Sequence, residues 1–550
     1  MGKTRDMFKW AEVKERSDID TWKGTTKYGN HDLYPIVPSE KKFGYLAYFA
    51  FWVNSGTAIT TFTLGSSYIA LGLNAGETIA ACFVGALISS TIGYFGARPG
   101  QDYGIGYTVL NRMAFGMRGT YIPIFIIFIG VMVFAGIQAY YGAQALTLML
   151  GAIFPSFKFM ENTLPASAAI TTKDLIGFVL YLIVYIPILS YIRPHQLRLG
   201  LYPAFIFTVA TFVGILIWAL VSNGGAGNLI SSPIEISNAQ KAYRFVQCVS
   251  SISGNWGGVG DRYSDWTRFE KKRGVSIPGL IGLPIVVTVC AVFGVLTTTA
   301  TAEMYGVVQW NPILLLEYAQ TVSYTPACRA ATFFAGFGMF FDQIFLNLTQ
   351  NSIPAGMDVA GALPRYFTAR RASLLLVVIT AVIQPWRFLS QAAIFVTILS
   401  SITIYFAAGT TIVLSDYWII RKKLLKIPDL YTGSDGIYWY SGGFNLRCIA
   451  ALFIGCAPCI PGFIMSCIDS TTDNAAVRIF QICWFVSAPL AFISYYTFNY
   501  FWPPKGLGIQ EFIQMDEGSM QVIEGIESVG QVEDEKIPVE KAKAMEDSSV

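Results

Sequence analysis

Charge is what this sequence has least of for its size. Asp, Glu, Lys and Arg make up 13% of its 550 residues, where soluble domains carry about a quarter. Apolar residues make up 53%. That balance excludes a string of soluble domains and leaves an all-α polytopic membrane protein. A net charge of +3 excludes the basic face that a nucleic-acid partner requires. Histidine is nearly missing: the two residues, His31 and His195, both fall outside the apolar runs. A zinc site and an intramembrane catalytic histidine are excluded with them, and neither a metal nor a cofactor is expected. The nine cysteines lie mostly inside apolar runs. Cys456-Ala-Pro-Cys459 has a CxxC spacing, but no second pair accompanies it, so these cysteines read as small buried hydrophobes. The first 40 residues lack an apolar run, so no cleavable leader is expected.

What is present is a series of apolar stretches of membrane-crossing length, about 20 residues each. Twelve spans are read: 45–71, 78–96, 122–150, 175–192, 199–221, 243–260, 277–299, 331–353, 372–385, 392–414, 448–467 and 479–500. Lys and Arg fall in alternate loops, as cytoplasmic loops require. Examples are Arg98, Arg112 and Arg118 after span 2, Arg193 and Arg198 after span 4, and Arg365, Arg370 and Arg371 after span 8. The loops 72–77, 222–240 and 301–326 hold no Lys or Arg. Both termini are therefore expected in the cytoplasm. Residues 1–43 are read as a cytoplasmic segment, 44–502 as the twelve-helix membrane domain and 503–550 as a disordered acidic cytoplasmic tail.

Two spans carry helix-breaking residues at mid-membrane. Span 1 reads FWVNSGTAITTF, with Asn54, Ser55 and Gly56 in its middle. Span 6 reads ISGNWGGVGD, with Gly254, Asn255, Trp256, Gly257 and Gly258. Unpaired backbone survives in lipid only where it lines a cavity. With spans 1–5 and 6–10 as two repeats, both breaks open a repeat, the pattern of an inverted-repeat secondary transporter with broken helices 1 and 6. Asn54, Gly56, Gly254 and Asn255 are then expected to offer backbone and side-chain groups to a substrate. Close helix packing is the other use of such glycines.

Span 8 adds Gln343, Asn347 and Asn351, spaced to share one helix face. Amides there suit the edge of a lactam or imide, since each both donates and accepts. Asp342 is an acid near the bilayer centre, hence a functional position by default and a candidate proton carrier. In span 3, Phe134 and Gln138 stand one turn apart, an aromatic plate beside an amide.

Three motifs carry a resemblance. NHDLYPIVPSEKKFG precedes span 1, SDWTRF follows span 6, and QNSIPAGMDVAGALPRYFTARR crosses span 8. Together they resemble the nucleobase–cation symporter-1 family, in its fungal uracil, allantoin, uridine and thiamine permease branch, from Asn30 to Pro503. Many members of the family carry Trp where Phe134 stands in this chain. The resemblance implies a LeuT-like fold of five plus five helices and two more. It implies import of an N-heterocycle sandwiched between Phe134 and Trp256 and bonded by Gln138 and Asn351, with Asn347 a turn earlier. Asp358, the acid of the A-G-x-D motif, is expected to act in gating. Where sodium-coupled members carry hydroxyl residues on helix 8, this chain has Phe345 and Leu346, so proton coupling is expected, with Asp342 as the ion-coupling group. The expected partners are a small heterocycle, protons and the bilayer, in the plasma membrane. Uracil, uridine or allantoin and the vitamins thiamine or nicotinamide riboside remain alternative cargoes, and a transporter-like nutrient sensor remains an alternative role.

Overall fold

The computed structural model describes residues 12–14, 24–228, 235–469, 472–516 and 519–524. It is a helical bundle turned inside out relative to a soluble protein. Phe125, Ile183, Ile285 and Phe334 are exposed on its flanks, while Asp342, Asp358, Asp416, Arg112 and Arg421 are buried. Such a distribution fits a hydrocarbon solvent, where apolar side chains face outward without penalty.

The helices run in chain order as α1 Tyr45–Gly56, α2 Ile59–Ala70, α3 Ala75–Tyr103, α4 Tyr107–Phe115, α5 Tyr121–Ile153, α6 Thr172–Tyr191, α7 Arg198–Asn223, α8 Asn238–Asp261 and α9 Leu283–Tyr305. Then follow α10 Pro312–Val322, α11 Pro326–Asn347, α12 Ile353–Ala362, α13 Ala369–Val382, α14 Ala392–Ser415, α15 Leu446–Cys456, α16 Ile460–Ile468, α17 Ala475–Gln481 and α18 Cys483–Phe501. Among the described residues, eight helical stretches are long and apolar enough to cross a membrane, and nine if the α17–α18 pair, bent by 79°, is one span. Expected spans 1, 6 and 9 escape that measure for three separate reasons. Span 1 is α1 plus α2, two pieces of 12 residues each. Span 6 is α8, rich in Gly, Ser, Asn and Gln. Span 9 is α13, with 14 residues.

Local sequence sets the helix ends. Asn74 accepts from the Glu77 amide at 2.8 Å while Glu77 accepts from the Asn74 amide at 2.9 Å, a reciprocal cap that starts α3. Ser237 and Gln240 form the same cap on α8. Gly104, at φ +66°, ends α3 in the left-handed conformation that only glycine adopts cheaply.

One expectation is overturned. α8 is a continuous helix through Gly254, Asn255, Trp256, Gly257 and Gly258. The glycines serve close packing instead. A Cβ on Gly254 would meet the Thr403 hydroxyl at 1.9 Å, one on Gly258 the Phe406 ring at 2.6 Å, and one on Gly260 the Gly93 backbone at 2.8 Å. The missing side chains let α8 press against α3 and α14, as small residues do between membrane helices. Span 1 does break, slightly later than expected, between α1 and α2 at Thr57 and the extended Ala58.

The chain after α18 departs from the expected disorder over its first part. Glu511–Asp516 (β1) and Ser519–Glu524 (β2) pair as an antiparallel hairpin. Phe512 stacks on Tyr103 with ring centres 5.1 Å apart, and Glu511 lies 3.3 Å from Lys426. The expected disorder of residues 525–550 lies outside the described residues.

Candidate functional site

A small cavity of about 60 Å³ lies between α5, α8, α11–α12 and the α1–α2 break. Five residues expected at the site from sequence line it: Phe134 and Gln138 from α5, Asn255 and Trp256 from α8, and Asn351 between α11 and α12. Phe134 and Trp256 are buried aromatics, and the rest of the lining is mixed polar and apolar. The helix break at span 1 contributes Ser55, Ala58 and Thr60.

Each polar group is held by another element. The Gln138 amide donates to Thr60 Oγ1 at 2.7 Å, tying α5 to α2. The Trp256 indole donates to the Ser55 carbonyl at 3.3 Å. That carbonyl lies in the last turn of α1, where helical acceptors run out of intrahelical donors. Asn351 donates to Asn347 Oδ1 at 2.9 Å, and Asn347 donates to the Ala135 carbonyl at 3.2 Å.

Four expected binding residues stand elsewhere. Asn347 does not line the cavity; it orients Asn351 and links α11 to α5. Gly254 packs on Thr403, and Gly56 packs on Val286, because both lie where a neighbouring helix comes closest. Asn54 turns away to donate to Asp342 Oδ1. Asp342 is fully buried outside the cavity lining, with Gln343 donating to its other oxygen at 3.1 Å and Thr208 beside it. Its partners among the described residues are amides and a hydroxyl.

Sequence reading missed Thr60, Gln350, Phe406 and Arg262, all of which line the cavity. Gln350 has a sequence signal in Pro354, four residues on. A proline in a helix lacks an N–H and crowds the carbonyl four residues back. The helix responds by widening to a π turn over Leu348–Ser352, with the Ile353 amide bonded to the Leu348 carbonyl.

The three motifs meet beside this cavity, next to Arg262. Arg262, at the end of α8, pairs with Asp358 on α12 at 2.6 Å, and Thr108 donates to the same carboxylate at 2.6 Å. Asp265 of SDWTRF accepts from the Tyr107 amide at 2.8 Å. Burial pushes the Asp265 carboxyl above the usual range, and the guanidinium groups of Arg262 and Arg268 oppose that rise. Arg268 donates to the Asp32 carbonyl at 3.0 Å, and Asp32 accepts from the Ala369 amide at 2.8 Å. Asn30 donates to the carbonyls of Pro364 and Phe367 at 3.0 and 2.9 Å. The segments before span 1, after span 6 and at the end of span 8 thus form one buried knot.

Residues 35–487 match the family of permeases for cytosine/purines, uracil, thiamine and allantoin. The chain belongs to this family. The transporter aclS of Aspergillus oryzae is 30% identical, with 87% of each chain covered. The uridine permease of Saccharomyces cerevisiae is 29% identical over 90% of this chain and 79% of its own length. Among solved structures, Mhp1, a nucleobase–cation-symport-1 family transporter held closed with bromovinylhydantoin bound, aligns with a TM-score of 0.66 over 86% of this chain and 97% of its own, at 18% identity. At that identity the likeness establishes the fold, which is LeuT-like and helical. The permease family makes this chain a multi-pass membrane transporter and not an enzyme.

Proposed function

We propose that this permease is a proton-coupled symporter that imports a planar N-heterocycle, a nucleobase, nucleoside or related ring of the uracil, uridine or allantoin type. The observation that carries the proposal is the cavity flanked by Phe134 and Trp256 and edged by Gln138 and Asn351. Aromatic faces hold a flat ring by stacking, and amides read its edge. At about 60 Å³ the cavity is smaller than the roughly 150 Å³ that takes up benzene in an engineered protein core. A ring therefore enters only after helices or side chains shift, as alternating access demands.

Asp342 is the proposed proton carrier. A buried carboxyl ringed by neutral partners is suited to taking up and releasing a proton, and it contacts Asn54 on broken span 1. Phe345 and Leu346 leave only backbone oxygen for a sodium ion on that part of α11. Asp358 is the proposed gating acid: its pair with Arg262, a cavity-lining residue, closes the inner end. The proposed setting is the plasma membrane with both termini in the cytoplasm, a reading supported by the alternation of basic loops. A thiamine-type cargo is the second reading, favoured by the thiamine permeases in the family.

The test is uptake of labelled uracil, uridine, allantoin, thiamine and nicotinamide riboside in yeast lacking its own permeases, with and without a proton uncoupler. Uncoupler-sensitive uptake of a base, nucleoside or allantoin is expected. Uncoupler-resistant accumulation overturns proton coupling. Absence of all uptake, with the protein at the cell surface, favours a sensor.

A further inference from the structure

We propose that Gln350 is a specificity-determining residue of this permease, and that it selects rings with a lactam edge, an N–H beside a C=O. The inference rests on reading the cavity as the substrate site.

Gln350 lines the cavity, and both polar atoms of its side chain are shielded from solvent without a hydrogen-bond partner among the described residues. A buried primary amide left unpaired on both its donor and its acceptor carries the uncompensated cost of desolvating both groups. That cost is removed when a ligand supplies the complementary pair. The neighbouring amides have their donor side engaged, Gln138 by Thr60 and Asn351 by Asn347, while the Gln138 oxygen has no partner among the described residues. Gln350 is therefore the side chain on this wall with a donor and an acceptor both open, side by side.

Its position follows from Pro354. The proline crowds the Gln350 carbonyl, and the π turn that relieves the crowding inserts one residue into the helix register. Consecutive residues Thr349, Gln350 and Asn351 consequently all line the cavity, where an undisturbed α-helix spreads three neighbours over about 200°. Supports hold the turn in place. Tyr185 bonds Ser352 Oγ at 2.7 Å, and Ser373 donates to the Ser352 carbonyl at 2.6 Å.

An amide edge and a lactam edge are mutually complementary: the ring N–H meets Oε1 and the ring C=O meets Nε2. A site built to bond both groups discriminates strongly against a ring lacking one of them, because the protein's own amide is then left unpaired.

The test measures uptake kinetics of labelled uracil and allantoin for the unmodified protein, Gln350→Ala, Gln350→Met and Asn351→Ala, each normalised to protein at the cell surface. N-methylated derivatives of the carried ring serve as competitors. Gln350→Ala and Gln350→Met are expected to raise KM at least tenfold with maximal rate within about twofold. In the unmodified protein, methylation at one ring nitrogen is expected to weaken competition at least tenfold, and in Gln350→Met less than twofold. Unchanged KM in both Gln350 variants, with Asn351→Ala impaired, overturns the role of Gln350 and leaves the site standing. Unchanged kinetics in all three variants overturns the site itself. Absence of uptake of either lactam by unmodified protein at the cell surface overturns the substrate class.

Discussion

Span 1 and span 6 carry the same kind of sequence, small and polar residues at mid-membrane, yet one breaks and the other does not. In span 1 the chain has local alternatives to the helix. The Thr57 hydroxyl donates back to the Val53 carbonyl at 2.7 Å, Ala58 is extended, and the Ser55 carbonyl finds an outside donor in Trp256. Side chains that compete for backbone groups loosen a helix, and partners from a neighbouring helix make the loosening affordable. In span 6 the glycines bring no competing group. They bring absence of bulk, and Thr403, Phe406 and Gly93 fill it. Glycine alone therefore does not open a membrane helix; released backbone groups must have somewhere to go.

Trp256 joins the two regions, so its replacement is the largest blow to both. Trp256→Ala removes a ring face and the indole bond to span 1. Aromatic stacking of a base is worth roughly 1–3 kcal/mol, and loss of the second role adds to it. Uptake is expected to fall to background in the assay above, with surface delivery retained; near-normal uptake removes Trp256 from the site. Asp342→Asn comes next. It keeps the shape of the contact with Asn54 but cannot carry a proton. Concentrative uptake is expected to vanish, while exchange of labelled for unlabelled substrate persists across vesicles. If accumulation against a gradient survives, another group carries the proton.

A smaller effect separates packing from binding. Gly254→Ala puts a methyl group against Thr403, and overpacking of this sort costs about 1–3 kcal/mol. A lower melting temperature of the purified protein is expected, with KM within about threefold of normal. The reverse outcome, normal melting and a large KM change, returns Gly254 to the substrate site. Thr57→Val is the mildest change: losing one hydroxyl bond costs about 1 kcal/mol. A slight drop in melting temperature and a modest change in maximal uptake rate are expected. A fully unaffected protein shows that the break does not depend on that hydroxyl.

Much of this was legible in the sequence. The long apolar helices followed from apolar run length, which responds to the bilayer without knowledge of packing. Phe134, Gln138, Asn255, Trp256 and Asn351 were legible because aromatic and amide side chains stand out against an aliphatic background. The hairpin at Glu511–Glu524 was not, since Phe512 needs Tyr103, some four hundred positions away in the chain, to stack upon. Gln350 was passed over because a regular helix turns it off the Asn347–Asn351 face, and only the π turn brings it round.

By itself, then, the sequence determined the solvent, the apolar helices and the chemical character of the cavity lining, since hydrocarbon burial and residue chemistry are properties of composition and order. Tertiary structure alone decided which helix breaks, which glycines pack, and whether Asn54 serves the cavity or Asp342. Those outcomes turn on which neighbour stands within about 3 Å to accept a hydrogen bond or fill a space, and neighbours across the bundle are set only when the helices have met.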